Sequence, residues 1–216
     1  MFDILKFYDT GKVADRLEGR YFDFDFLKLK ENEVFINCGA AGGGTIKEFA
    51  DFSNNTYNKI YGFEPMAPSI ENTKKFLQKE KLKRVVIVNS GVWSKTTDLY
   101  FSPLGGGYAN EHAMSEDDNK LPVTTIDETV GNDKVTFIEM DIEGSELEAL
   151  KGAEKTIIRC KPRLAICIYH KPEDILTIPL YLHSIVPEYI FFIRNTDLVQ
   201  ISHTLLYAML EEDINI

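Results

Sequence analysis

Residues 34–49 read VFINCGAAGGGTIKEF, and this order of residue types is the strongest indication of the fold. An apolar run leads into four glycines within six positions, and a helix-forming stretch begins near Thr45. Glycine lets the backbone turn sharply and approach a ligand, and the first turn of a helix carries unpaired N–H groups. A tight strand-to-helix turn alone is the simpler interpretation, but it needs fewer glycines. The segment therefore predicts a strand, a ligand-binding turn and a helix.

Six further apolar runs, rich in β-branched and aromatic residues, predict a sheet of seven strands. Such runs are typical of strands that are buried on both faces of a parallel sheet. Helical periodicity predicts helices over Thr45–Phe52, Pro68–Leu82 and Glu143–Ile158. We therefore predict an α/β, Rossmann-like domain whose mostly parallel seven-stranded sheet carries helices on both faces. The predicted strands are 34–37, 59–63, 85–89, 135–140, 163–169, 189–193 and 204–209.

The remaining segments complete the predicted organisation of the chain. Only the ten residues RNTDLVQISH separate the last two strands, too few for a helical crossover, so these strands should form an antiparallel C-terminal hairpin. Residues 102–122 lack periodicity and contain three consecutive glycines, which predicts a mobile loop over the site. We expect residues 1–20 to form an N-terminal helical extension and residues 21–216 to form the α/β domain.

Residues that follow the second and third strands are suited to bind a nucleoside. Glu64 follows the second strand, where a Rossmann-like sheet often carries an acidic residue that accepts hydrogen bonds from both ribose hydroxyls. A solvated glutamate before a helix is the alternative. Ser90 and Gly91 are small enough to leave room for a flat adenine ring beside the backbone.

Acidic residues and a histidine follow the fourth and fifth strands. Asp141, Glu143 and Glu146 lie at one strand-to-helix turn, and His170 follows the neighbouring strand. Ligands of open α/β sheets bind at this carboxyl edge, although carboxylates at a helix N-terminus also serve as caps. Histidine is the usual proton acceptor near neutral pH. His170 is therefore a candidate base, a metal ligand with Asp141 and Glu143, or a structural residue.

The charge and the apolar content of the sequence indicate which kinds of binding partner are disfavoured. The formal net charge is −10, which disfavours nucleic acid and anionic membrane surfaces. No apolar run approaches the roughly 20 residues that span a bilayer, and the charged N-terminus does not resemble a signal peptide. Three cysteines, Cys38, Cys160 and Cys167, have no zinc-type spacing, so we expect reduced thiols and a cytoplasmic protein.

Several stretches together carry a family pattern. They are YFDFDFLKLKENEVFINCGA (21–40), YGFEP (61–65), GVWSKTTDL (91–99), FIEMDIEGSELEALKGAEKTI (137–157), PRLAICIYHKPEDILTIPLYL (162–182) and the ending IR…LLYA. With these stretches the chain resembles the FkbM-type methyltransferases along most of its length. The run MDIEGSELEALKGA is the most specific of them.

The resemblance implies a class I methyltransferase fold, S-adenosyl-L-methionine as methyl donor, and transfer to oxygen. The acceptor would be a small molecule or a glycan, typically a hydroxyl of a sugar or of a polyketide-like natural product. The spacing Gly39-x-x-x-Gly43 is that of methyltransferases, and Asp141 would lie near the transferred methyl group. The predicted cofactor-binding residues are Asn37, Gly39, Ala40, Ala41, Gly43, Glu64, Pro65, Ser90, Gly91 and Asp141.

A hydroxyl is a weak acid, so transfer to it needs a base in contact with the acceptor. We predict His170 and Asp141 as the catalytic pair and Glu143 and Tyr108 as substrate-binding residues, the aromatic ring stacking on a sugar. No metal ion is predicted, because histidine is not a preferred ligand of hard cations.

Two departures from the family pattern keep rival functions open. Asn37 stands where members usually have aspartate, and Asn195 stands where many have histidine after Arg194. Asn37 and the acidic surface motivate a degenerate cofactor-binding module without turnover. A nucleotide-dependent oxidoreductase is disfavoured, because Ala40 and Ala41 break the G-x-G-x-x-G fingerprint and because the sheet should end in a hairpin.

Overall fold

The computed structural model describes residues 21–22, 26–101, 109–110, 112, 115–116, 118–195 and 204–215. The predicted helix over residues 1–20 and the predicted substrate-binding residue Tyr108 lie outside the described residues, as does most of the stretch 102–118.

The strands occur where the apolar runs predict them, with additional short strands in the middle of the chain. In chain order the described strands are β1 (Val34–Cys38), β2 (Lys59–Phe63), β3 (Val85–Val88), β4 (Gly91–Val92), β5 (Thr97–Phe101), β6 (Ala109–Asn110), β7 (Asn119–Thr124), β8 (Phe137–Met140), β9 (Arg163–Cys167), β10 (Ile190–Asn195) and β11 (Thr204–Met209).

Seven of these strands form the central sheet, in the order β10-β11-β9-β8-β1-β2-β3. The five strands from β3 to β9 in this order pair in parallel, and β11 is antiparallel to both β9 and β10. This confirms the mostly parallel seven-stranded sheet and its C-terminal hairpin. The order reverses at β1, which has β2 on one side and β8 on the other, and ligands of open α/β sheets bind at such a switch point.

Helices cover both faces of the sheet, as predicted. They are α1 (Gly44–Phe52), α2 (Ala67–Lys79), α3 (Ile126–Val130), α4 (Glu146–Lys151), α5 (Glu154–Cys160) and α6 (Asp174–Ile185). Ile46 and Phe49 of α1 and Leu77 of α2 pack on one face, together with Phe22 and Leu27. The other face is covered by buried residues of α3 to α6: Ile126, Leu150, Ile157 and Ile178.

The single helix predicted over Glu143–Ile158 is wrong, because the structure has two shorter helices there. Glu143 and Gly144 have φ values of +53° and +87°, so the backbone still turns at these residues and α4 begins only at Glu146. The break between α4 and α5 includes Gly152, where a Cβ atom would lie 2.0 Å from the carbonyl oxygen of Trp93. The helix is therefore interrupted at the point where Gly152 lies against the Trp93 backbone.

The prediction of one loop over residues 102–122 is wrong in part. A second sheet, in the order β4-β7-β5-β6, includes residues 109–110 and begins β7 at Asn119. Its longest ladder pairs β5 with β7, with Leu99 opposite Leu121. Three of the six residues of β7 are exposed and only Val123 is buried, so its sequence lacks the alternation that would indicate a strand.

The sequence analysis also missed α6, whose interior contains Pro179. Proline lacks the N–H group of a helical hydrogen bond and normally indicates an interruption. Here Ile178, Pro179 and Leu182 are buried against the sheet, and this packing stabilises the helix despite the proline. No helix of the described residues is both long and apolar enough to cross a membrane.

Candidate active site

A cavity of about 350 Å³ opens at the carboxyl edge of the central sheet, at the switch point between β1, β2 and β8. This volume lies within the roughly 300–1,000 Å³ of typical ligand pockets. The second sheet contributes Gly91, Val92, Phe101 and Ala109 to its wall. The other lining residues are Gly39, Ala41, Phe63, Glu64, Pro65, Met66, Asp141, Ile142, Glu143 and Ser145.

The loop after β1, residues 39–43, uses its own N–H groups within the protein. Gly39 and Ala40 donate to the carbonyl of Phe63, Gly42 donates to the hydroxyl of Thr73, and Gly43 donates to the carbonyl of Ala40. The Ala41 N–H donates to the carboxylate of Glu64 at 3.1 Å. The N–H groups of residues 39–43 are therefore not available to a ligand in this arrangement.

Gly39 brings this loop against the loop after β8. Its φ is +95°, and a Cβ atom at this position would lie 2.5 Å from the carbonyl oxygen of Asp141. Only glycine adopts such a backbone without strain and also leaves space for that carbonyl. The close approach places both loops on one wall of the cavity.

Glu64 follows β2 and is almost fully buried. Its Oε2 accepts hydrogen bonds from the Ala41 N–H and the Ser69 hydroxyl, and its Oε1 accepts one from the Met66 N–H at 2.9 Å. A carboxylate accepts about four hydrogen bonds. Oε1 therefore keeps an acceptor position, and rotation of the Ser69 hydroxyl would release a second on Oε2.

Asp141 follows β8 and lines the cavity with its carboxylate held by two tyrosines. The Tyr21 hydroxyl donates to Oδ2 at 2.8 Å, and the Tyr169 hydroxyl donates to Oδ1 at 3.2 Å. Neither tyrosine was predicted as a site residue, although both lie in stretches that carry the family resemblance. Their role depends on contacts that the fold creates between distant parts of the chain.

His170 lies beside Asp141 but is not a lining residue of the cavity. Its Nδ1 is 2.8 Å from Glu146 Oε1, and its Nε2 is 3.4 Å from Asp141 Oδ1 and 3.5 Å from Glu143 Oε2. Burial lowers the pKa of His170, but the hydrogen bond and charge of Glu146 and the charges of Asp141 and Glu143 outweigh it and raise the pKa above its ordinary value. The structure therefore brings Asp141, Glu143 and His170 together, as predicted. Glu146 is a further residue of this cluster.

The predicted residues divide into two sets by their position. Of the predicted cofactor and substrate residues, Gly39, Ala41, Glu64, Pro65, Gly91, Asp141 and Glu143 line the cavity, whereas Asn37, Ala40, Gly43 and Ser90 do not. Asn37 is 1% exposed, and its Nδ2 donates to Glu139 Oε2 at 2.5 Å. Gly43 is the N-cap of α1.

Ligand atoms of Asp141, Glu146 and His170 lie within 4.8 Å of one another, close enough to hold a metal ion. Glu146 thus replaces Glu143 in the metal set considered from the sequence. Both oxygens of Asp141 already accept tyrosine hydroxyls, and Glu146 Oε1 accepts the Ile142 N–H and contacts His170. Glu146 Oε2, in contrast, is buried with no hydrogen-bond partner among the described residues, so the absence of a metal ion stays a prediction.

The chain is similar to known methyltransferases over most of its length. Residues 37–195 match the family model of the methyltransferase FkbM domain. The chain belongs to the FkbM methyltransferase family. This FkbM domain is 28% identical to the crystal structure of methyltransferase FkbM from Methylobacillus flagellatus KT, with a TM-score of 0.69 over 84% of this chain and 44% of that one. The chain thus spans less than half the length of that methyltransferase.

Two more distant structures share the fold of this FkbM domain. The Streptococcus mutans protein SMU.1697c in complex with SAH is 13% identical, with a TM-score of 0.54 over 86% of this chain and 92% of that one. Aeropyrum pernix fibrillarin with natively bound S-adenosyl-L-methionine is 12% identical, with a TM-score of 0.50 over 83% and 67%. No curated protein matches the chain at a significant level.

Proposed function

We propose that this FkbM domain is an S-adenosylmethionine-dependent O-methyltransferase whose acceptor is a hydroxyl of a sugar, a polysaccharide or a natural product. The observation that carries the proposal is the combination of the glycine loop with Glu64. All five N–H groups of residues 39–43 are donated within the protein, and one of them holds the Glu64 carboxylate at the cavity. A ligand that fits here carries a ribose diol and no phosphate beside it.

This argument separates the proposal from a nucleotide-dependent oxidoreductase. A dinucleotide places its pyrophosphate on free N–H groups at the turn between the first strand and its helix. In this structure the N–H groups of residues 39–43 already have acceptors within the protein, so this loop offers none of them to a pyrophosphate. S-adenosylmethionine has no phosphate and does not need them, whereas an acidic residue such as Glu64 can hold the ribose of either cofactor.

The remaining lining residues suit the other parts of the cofactor. Val92, Phe101, Ala109 and Ile142 offer apolar surface for a flat adenine ring. When bound, S-adenosylmethionine supplies a sulfonium methyl group, which is transferred as the sulfur–carbon bond breaks and a carbon–oxygen bond to the acceptor forms. We propose that the methyl group lies beside Asp141, which lines the cavity.

The residues of the β8 loop and the residue after β9 would act on the acceptor. Asp141, fixed by Tyr21 and Tyr169, orients the hydroxyl, and His170 accepts its proton at Nε2, which faces the two carboxylates at the cavity edge. Glu143, which lines the cavity, contacts the rest of the acceptor, and the stacking role of Tyr108 stays a prediction from the sequence. The acidic charge of the chain favours a neutral small molecule or glycan over nucleic acid or a membrane surface. Free cysteines at positions 38, 160 and 167 fit a cytoplasmic enzyme.

The proposal is tested in two steps. Calorimetry should detect binding of S-adenosylmethionine and no binding of NAD, and the reverse result would support the oxidoreductase. Incubation with a panel of hydroxylated sugars and natural products should then release S-adenosylhomocysteine, with the new methyl group on oxygen. Cofactor binding without turnover on any acceptor would support a degenerate binding module. Activity that is lost with a chelator and restored by Mg²⁺ would replace the metal-free mechanism by a metal-dependent one.

A further inference from the structure

Glu146 contacts His170 but, unlike Asp141 and Glu143, does not line the cavity. It is the first residue of α4, and both its side chain and that of His170 are nearly inaccessible, at 0% and 6% exposure. Its Oε1 lies 2.8 Å from Nδ1 of His170. A buried hydrogen bond of this kind is a strong constraint on the orientation of an imidazole ring.

The same oxygen also accepts the N–H of Ile142 at 3.0 Å. Ile142 lies between Asp141 and Glu143, so Glu146 ties the histidine ring to the turn that carries the two carboxylates at the cavity. The ring also contacts the ring of Tyr169, with the two ring centroids 4.1 Å apart. Together these contacts fix the position of the imidazole.

We infer that Glu146 is a positioning residue that keeps a proton on Nδ1 of His170 and thereby presents Nε2 to the acceptor. An ionised carboxylate only accepts hydrogen bonds, and Glu146 Oε1 is at hydrogen-bond distance from Nδ1, whereas the oxygens of Asp141 and Glu143 are 3.4 and 3.5 Å from Nε2. With an ionised Glu146, Nδ1 therefore donates, and the lone pair of the neutral ring is on Nε2. In the reaction proposed above, the hydroxyl proton moves to Nε2. The ring becomes an imidazolium whose charge is balanced by Glu146, and the proton passes to water after product release. The inference rests on the proposed function for this last step only.

The acidic groups around the ring raise the pKa of His170. The groups that face His170 are Glu146 from α4, Asp141 and Glu143 from the turn after β8, and Asp174 from α6, with Lys171 beside Asp174. Burial raises the pKa of Asp174 to about 6, and the charge of Glu146 adds to this effect. Removal of the Glu146 charge should therefore lower the pKa of His170.

The competing role for Glu146 is a structural one, in which it stabilises the turn of residues 141–145. Its hydrogen bond with the Ile142 N–H would do this without the histidine. Two substitutions separate the roles. Glu146→Gln keeps an oxygen acceptor for Nδ1 and for the Ile142 N–H but removes the charge, and Glu146→Ala removes both. Glu148→Gln is the matched control, since Glu148 lies on the same helix and bonds Ser94 and Lys151 instead.

The decisive measurement is the ¹⁵N NMR titration of the ring nitrogens, with His170 assigned among the four histidines by His170→Gln. The wild type and Glu148→Gln should show the neutral ring protonated on Nδ1. Glu146→Gln should retain this tautomer with a pKa lower by about one pH unit, and Glu146→Ala should shift the neutral ring toward protonation on Nε2. Unchanged tautomer and pKa in both Glu146 variants would overturn the inference.

Turnover gives the second readout. In Glu146→Gln the rise of kcat with pH should move to lower pH, and in Glu146→Ala kcat should fall about 10²-fold with the KM for S-adenosylmethionine unchanged. An equal loss of kcat in Glu146→Ala at every pH, together with a higher KM, would indicate that Glu146 only stabilises the turn. This result would overturn the positioning role. A wild-type protein without turnover would overturn the proposed function alone, because the NMR result does not depend on it.

Discussion

The loop after β1 and the loop after β8 meet at the cavity, yet they are built in opposite ways. The first, residues 39–43, has small residues whose N–H groups are satisfied by β2, by α2 and by the loop itself. The second, residues 141–145, carries carboxylates whose positions depend on Tyr21, Tyr169 and His170. One loop is a backbone surface that a ligand can approach, and the other is a charged surface that can act on it. We expect substitutions in the first to affect binding and substitutions around the second to affect turnover.

The largest expected effect comes from the point where the two loops touch. Gly39→Ala should lower the free energy of unfolding by about 3 kcal/mol, because its backbone is left-handed and the new Cβ would overlap the Asp141 carbonyl. Gly42→Ala is the matched control, since Gly42 has φ +87° but no atom within 4 Å of such a Cβ. It should lose only about 1 kcal/mol. Chemical denaturation measures both, and equal losses would show that the contact between the loops contributes nothing.

His170→Gln tests the charged loop. We expect kcat to fall about 10²-fold or more, with partial recovery at high pH, where the acceptor loses its proton more readily. Affinity for S-adenosylmethionine should persist, because His170 does not line the cavity. The wild-type rate should rise with pH through a midpoint above the ordinary histidine pKa, since the ring accepts a proton only when neutral and its pKa is raised. His183→Gln, on α6, is the control, and full activity in His170→Gln would make His170 a structural residue.

The two loops also differ in how well the sequence predicts them. The glycines of residues 39–44 and the acid after β2 lie within motifs, so the strand, the turn and the lining role of Gly39 and Glu64 are predictable from local spacing. The partners of Asp141 are not, because Tyr21 is 120 residues away and nothing local indicates the contact. Two other features are also not predictable from the local pattern. Strand β7 has one buried residue and shows no alternation, and α6 contains a proline that normally indicates an interruption, although tertiary packing stabilises the helix.

Glu64→Ala tests the uncharged loop and its carboxylate partner. We expect S-adenosylmethionine to bind more weakly by about 2 kcal/mol, a typical loss for a hydrogen bond to a charged group. Calorimetry measures the affinity, and circular dichroism checks the fold, because the N–H groups of Ala41 and Met66 also lose their acceptor. Glu71→Ala, an exposed glutamate of α2, should bind normally. Unchanged affinity in a folded Glu64→Ala protein would place the ribose elsewhere.

The smallest effect on binding is expected at Asn37, below both loops. Family members usually have aspartate at position 37, which by itself suggests that Asn37→Asp binds S-adenosylmethionine more tightly. In the structure, however, Asn37 is buried away from the cavity and donates a hydrogen bond to Glu139. A second carboxylate beside Glu139 should have a raised pKa, and each unit of this rise costs about 1.4 kcal/mol of stability once the introduced carboxylate is ionised. The loss should be absent below about pH 4, the range of the unfolded pKa, and should grow as pH rises through the folded pKa. Denaturation at pH 4 and pH 8 measures it. Tighter cofactor binding with undiminished stability at pH 8 would show that Asn37 belongs to the binding loop after all.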